Sequence, residues 1–197
     1  MKGFLLALVI LCDLTGTVNY IWNMVKGSTR PHRTTRFVLF GVSVTNMIGA
    51  VSAHAAAGTL ILSTLFLARG LILALLSIKN GVGGTSKADI ACVLIAVAGI
   101  AAWKLSGNGV TALIFAIFAD AVAYIPAVIK TWQHPNTESP LLYWLGGLAA
   151  LIAVIHDGMR LSTIFQFYIV FACIAMLVCI NKNRLLNSWK LKNAPPV

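Results

Sequence analysis

Charge is scarce in this chain. Of its 197 residues only 10% are Asp, Glu, Lys or Arg, against about 25% in an ordinary soluble domain. Acids are the scarcer sign, five against fifteen Lys and Arg. The polar stretches between apolar runs are too short to fold alone, which excludes a separate soluble domain. Cysteine is sparse too. Cys12, Cys92, Cys173 and Cys179 sit in apolar runs without a C-x-x-C pair, so neither a disulfide framework nor a metal site is expected. Neither G-x-S-x-G nor H-E-x-x-H occurs, and His32, His54, His134 and His156 are not set among acids at ligand spacing. No enzyme activity and no cofactor are therefore expected. Gly81-Val82-Gly83-Gly84-Thr85-Ser86-Lys87 is only superficially a phosphate loop, because its lysine follows serine and no strand precedes it.

Apolar and aromatic residues, by contrast, make up 59% of the chain. They fall into seven runs, 3–25, 37–57, 59–78, 88–104, 109–131, 140–156 and 163–181. A helix needs roughly 20 such residues to cross the hydrocarbon. The expected fold class is therefore an all-α membrane protein of seven transmembrane helices, with the lipid bilayer as its principal partner. The first run carries Asp13 at its middle and is followed by no small-x-small cleavage site. It is read as a retained span rather than a removed signal.

The net charge of +10 is explained by where the bases fall. Seven crossings would give one side Lys26, Arg30, Arg33, Arg36, Lys79, Lys87, Lys130, Lys182, Arg184, Lys190 and Lys192, and the other only Lys2, Lys104 and Arg160. That asymmetry predicts an outside N-terminus and a cytoplasmic C-terminus. It accounts for the basic balance without nucleic acid as a partner.

An internal repeat organises the runs. Shifted by 104 positions, Tyr20, Ile21, Lys26 and Pro31 meet identical residues at Tyr124, Ile125, Lys130 and Pro135, Val25 meets Ile129, and Thr59 meets Thr163. The same shift lays spans 1, 2 and 3 on spans 5, 6 and 7. Three spans is an odd number, so two copies share one orientation only if a further crossing joins them. The expected arrangement is 3+1+3, with residues 1–81 as a first three-helix bundle, 82–108 as a linker helix, and 109–197 as a second bundle and cytoplasmic tail. The almost charge-free stretch 37–78 is expected to break at Gly58.

The segment Pro126-Ala127-Val128-Ile129-Lys130-Thr131-Trp132-Gln133-His134-Pro135-Asn136-Thr137-Glu138-Ser139 resembles the PQ-loop motif of the SWEET and PQ-loop transporter superfamily. A proline stands near the end of the repeat's first helix, followed by Lys, an aromatic and a polar Thr-Glu-Ser stretch. The resemblance implies a carrier of sugars, amino acids or vitamins in which two three-helix bundles rock about proline hinges, here Pro126. Ala127 stands where the motif has Gln, Trp22 stands where the first copy would have its proline, and spans 3 and 7 carry no mid-span Asn. Sugar specificity is thus not implied.

Ionisable groups in mid-span cost roughly 2.5 to 3.5 kcal/mol each by insertion scales and point to function by default. Asp13, Asn46, Arg69 and Asp120 all lie near the midpoints of their spans. In the repeat frame the two acids are three residues apart, about 60° around a helix. Extending their face at helical spacing brings in Tyr20 and Tyr124. Asp13, Asn46, Arg69, Asp120, Tyr20 and Tyr124 are the candidate substrate-binding residues. One arginine does not neutralise two carboxylates, so either one acid is protonated or a cationic solute or coupling proton joins the site. A buried structural ion pair is the alternative.

The expected function is a small-solute membrane transporter working by alternating access. A non-transporting seven-helix receptor or assembly protein is the second class, since fold alone does not determine function. A homo-oligomer is compatible with either.

Overall fold

The computed structural model describes residues 2–31, 33–82, 87–135 and 138–192. Among them the chain is helical, with no β-strand: α1 Lys2–Val25, α2 Arg33–Ser52, α3 Ala57–Asn80, α4 Lys87–Ser106, α5 Gly109–Gln133, α6 Pro140–Asp157 and α7 Ile164–Lys192, the last preceded by a 3-10 turn, Leu161–Thr163. Six stretches, α1, α2, α3, α5, α6 and Leu161–Lys182, are long and apolar enough to cross a bilayer. The linker helix α4 runs for 20 residues. Several of its side chains, Cys92 among them, lie outside the described residues, as do His32, residues 83–86 of the glycine-rich stretch, Asn136, Thr137 and the side chain of Pro126.

Burial is arranged for lipid rather than water. Leu11, Val18, Trp22, Leu75, Phe118 and Ile155 are exposed, whereas Asp13, Asn46, Ser63, Asp120, Glu138 and Gln166 are buried. Hydrocarbon accepts the first set and leaves the second to find partners inside the protein. α3 packs on both α1 and α2, and α7 on both α5 and α6. α1 lies against α6 and α2 against α5, so exchanging the two copies of the repeat turns one of these contacts into the other. α4 rests on α5 and α2.

Two of these packings need bare backbone. A Cβ on Gly49 of α2 would stand 2.9 Å from the Leu113 side chain, and one on Gly109, at the start of α5, would stand 2.4 Å from the Ala53 nitrogen. The α2–α5 crossing therefore closes on two glycines that lack any side chain to hold the helices apart. Asn108 caps α5 by accepting from Val110 N–H at 2.9 Å.

Three sequence boundaries are corrected. The break expected at Gly58 lies instead at residues 53–56, between α2 and α3, where His54 takes a φ of +48°. Gly58 is inside α3, and its role is a close approach described below. α2 starts at Arg33 rather than 37, because Thr34, Thr35 and Arg36 form a polar first turn whose hydropathy disguises its helicity. α7 continues to Lys192, since apolarity marks the membrane-crossing part of a helix and not its end.

Candidate functional site

A cavity of about 80 Å³ opens between α2, α3, α5, α6 and α7. Its charged wall is Arg36, Arg69 and Asp120, its hydroxyl wall Ser43, Tyr124 and Tyr143. Each arrives by helical spacing. Arg36 and Ser43 are seven residues apart on α2, Phe66 and Arg69 are three apart on α3, and Asp120 and Tyr124 are four apart on α5, so each pair shares a face. Gly146 lines it from α6, where a Cβ would meet Arg69 Nη1 at 3.9 Å, an ordinary van der Waals contact.

Arg69 is held from behind. Its Nη1 donates to Asp13 Oδ1 at 2.6 Å, and its guanidinium stacks on the Phe66 ring, 4.4 Å from the centroid. Asp13 is 1% exposed and faces Arg69 from α1, outside the cavity lining. Asp120 accepts a hydrogen bond from the Tyr168 hydroxyl of α7 at 2.9 Å. The two mid-span acids thus occupy different positions, one fastened to a cation and one on the cavity wall. Arg69 and Cys173 are equivalent in the 104-residue repeat, and both line the cavity.

Below this cavity, towards the α1–α2 connection, lies a smaller one of about 20 Å³ that shares Arg36, Leu39, Tyr124 and Tyr143 with it. Glu138, which precedes α6, organises that end. It accepts from the hydroxyls of Tyr20 and Tyr143, both at 3.2 Å, and from Lys130 Nζ at 3.0 Å. Arg36 donates to the Tyr20 hydroxyl and covers its ring. Lys130 also donates to the Arg30 carbonyl at 2.8 Å. These bonds tie α1 and α2 to α5 and α6.

At the other end of α6 a second tether forms. α3 begins with Ala56 at its N-cap, which offers no capping side chain. The cap comes from a distant helix: Asp157 accepts from Gly58 N–H at 3.1 Å and from Thr59 N–H at 2.6 Å. The anion also meets the positive end of the α3 dipole. A Cβ on Gly58 would stand 2.9 Å from Asp157 Oδ1, so glycine is what lets the carboxylate in. His156 Nδ1 lies 2.6 Å from the same oxygen. In the second copy the turn before α7 is held locally instead, the Thr163 hydroxyl accepting from Arg160 N–H at 3.0 Å.

Of the residues expected from sequence, Arg69, Asp120 and Tyr124 line one cavity, Asp13 stands behind Arg69, and Tyr20 belongs to the Glu138 network. Asn46 is elsewhere. It is fully buried and donates to Ser63 Oγ at 3.0 Å, which also accepts from Gln166 Nε2 at 3.1 Å. That cluster ties α2, α3 and α7 together without reaching the cavity lining. Pro126 lies inside α5, where it removes one donor from the helical ladder. Sequence reasoning missed Arg36, Tyr143, Glu138 and Asp157. The sequence places Arg36 among the loop bases, and the signal that recovers it is its place one turn inside a helix whose next turns are apolar. Comparison with protein-family models, curated proteins and solved structures yields no match for this chain.

Proposed function

We propose that the chain is a small-solute transporter whose cavity opens alternately to the two sides of a membrane. In this reading α1–α3 and α5–α7 are two like-oriented bundles joined by α4, related by a pseudo-twofold axis along the membrane normal. The bias of basic residues sets the N-terminus outside and the C-terminus in the cytoplasm. The Glu138 network then faces the cytoplasm and Asp157 the outside.

The observation that supports this reading is the position of the cavity between two separate tethers. α6 carries one at each end, Glu138 before it and Asp157 at its last residue. Its 18 residues put them about 27 Å apart at ~1.5 Å per residue. Both reach across to the α1–α3 bundle, Asp157 alongside the Gln166–Ser63 bond between α7 and α3, so loosening one end and keeping the other lets the bundles part at one end only. Rocking needs two states with differential contacts, and two independently breakable tethers supply them. A buried ion pair that merely stabilises the fold would need neither the cavity beside Arg69 nor a tether at each end.

The test is solute uptake by proteoliposomes holding the purified chain, across a panel of small acids, amino acids, nucleosides and sugars. Saturable uptake of at least one solute, abolished by Arg69→Ala in protein that still elutes as a single folded species, is expected. No uptake of any class, in vesicles whose protein is folded and correctly inserted, would transfer the chain to the receptor or assembly class.

A further inference from the structure

We propose that the solute taken by this cavity is a small carboxylate, clamped between the guanidinium groups of Arg36 and Arg69; the assignment rests on the transporter reading for its route, though not for its binding chemistry. Both arginines line the cavity, Arg69 beside Asp13 and Arg36 beside Tyr20 of the Glu138 network. Among the described residues Arg69 donates its one side-chain hydrogen bond to Asp13 through Nη1, and Arg36 its one to Tyr20 through Nη2. The remaining N–H groups of two planar forks are what a carboxylate meets best, in paired charge-assisted hydrogen bonds. Tyr124 lines both the main and the smaller cavity, and its hydroxyl is the third donor this proposal invokes.

Size and charge narrow the class. A cavity of about 80 Å³ is roughly half the ~150 Å³ that accommodates benzene, which leaves room for about three to five non-hydrogen atoms. A hexose does not fit without parting the walls. Asp120 on the same wall repels a second negative charge when ionised and offers it at most one donor when protonated, which disfavours phosphate and dicarboxylates. The two arginines disfavour a simple cation. What remains is a monoanion, or a zwitterion whose ammonium faces Asp120. Phe66, Phe165, Leu39 and Ile169 leave apolar wall for the carbon end of either.

The experiment is a thermal-shift titration of the purified full-length chain in detergent micelles with acetate, glycolate and glycine, set against acetamide, glycerol and glucose. The acids are expected to raise the melting temperature saturably, and the three neutral compounds to leave it unchanged. Arg36→Gln is expected to weaken acid binding at least tenfold, and Arg36→Lys to restore it only in part because the ammonium lacks the fork. Should Arg36→Gln fail to fold, Tyr124→Phe provides the same comparison, with severalfold weaker binding. Glycine binding more tightly than acetate, with the difference removed by Asp120→Asn, identifies a zwitterion; acetate binding equally or more tightly identifies a plain monocarboxylate. Acetamide or glucose stabilising the protein as well as the acids do, or binding indifferent to both Arg36 and Tyr124, overturns the proposal, as does the absence of any shift with the acids. Acid binding without uptake by vesicles would sink the transporter reading and leave this one standing. Uptake confined to neutral solutes would do the reverse.

Discussion

Removing one partner of the Asp13–Arg69 pair should cost far more than removing both. Asp13 has a side chain 1% exposed and Arg69 one 19% exposed, with 2.6 Å between them. Arg69→Met strands a carboxylate with no other cation in bonding range among the described residues, and breaking a buried pair in this way costs about 3–5 kcal/mol. Asp13→Asn strands the guanidinium, which keeps its stacking on Phe66 and its exposure to the cavity. Its loss should be nearer the ~2.5–3.5 kcal/mol that insertion scales assign to a mid-span charge. In the double variant neither charge remains, so the penalty common to both single changes disappears. A double-mutant cycle should therefore give a coupling of at least about 2 kcal/mol, where independent sites add to within ~0.5 kcal/mol. At ~2–4 °C per kcal/mol for a chain of this size, the double variant should melt about 4–8 °C above the additive expectation. The assay is thermal unfolding of the four proteins in one detergent. Additive losses would mean that the pair is not coupled in the folded protein, and the electrostatic description of the site would be wrong.

Other substitutions follow from the same geometry. Gly49→Ala should destabilise by about 1–3 kcal/mol through overpacking against Leu113, whereas Gly41→Ala, whose Cβ would meet nothing within 4 Å, should be neutral or stabilise by up to ~1 kcal/mol; paired melting curves decide. Asp157→Ala should cost about 1–3 kcal/mol by orphaning the Gly58 and Thr59 amides, with hydrogen exchange at those two amides accelerated and that at the far end of α3 unchanged. Tyr168→Phe removes the one hydroxyl bonded to Asp120 among the described residues and should lower stability by about 1 kcal/mol while altering uptake. Unaltered uptake would remove Asp120 from the working site.

Much of the helical plan and part of the site are legible in sequence because lipid makes the signal blunt. Asp13, Arg69 and Asp120 stand out wherever hydrocarbon surrounds a charge, and six of the expected runs return as helices that can cross a bilayer. What escapes is whatever depends on long-range pairing. Asp157 caps a helix whose amides lie 98 and 99 residues away, and nothing local marks it as a cap. Glu138 reads as one polar residue in a polar loop until Tyr20, 118 positions earlier, donates to it. Asn46 shows the opposite failure. Its depth is plain from hydropathy, but the face it presents is set by its bond to Ser63, which Gln166 also meets. The charged wall is also lopsided in a way a repeat does not foretell, since Arg36 corresponds to Pro140 and Arg69 to Cys173.

Cys173 lies on the cavity wall and is 6% exposed, which makes its thiol a native reporter of which side the cavity faces. With Cys12, Cys92 and Cys179 replaced by Ala, its labelling by a membrane-impermeant thiol reagent can be followed separately from each face of oriented vesicles. Alternating access predicts that Glu138→Gln speeds labelling from the face carrying the α1–α2 connection alone, and that Asp157→Asn speeds it from the opposite face alone. Acceleration from the same face by both substitutions, or from neither face by either, would contradict the account.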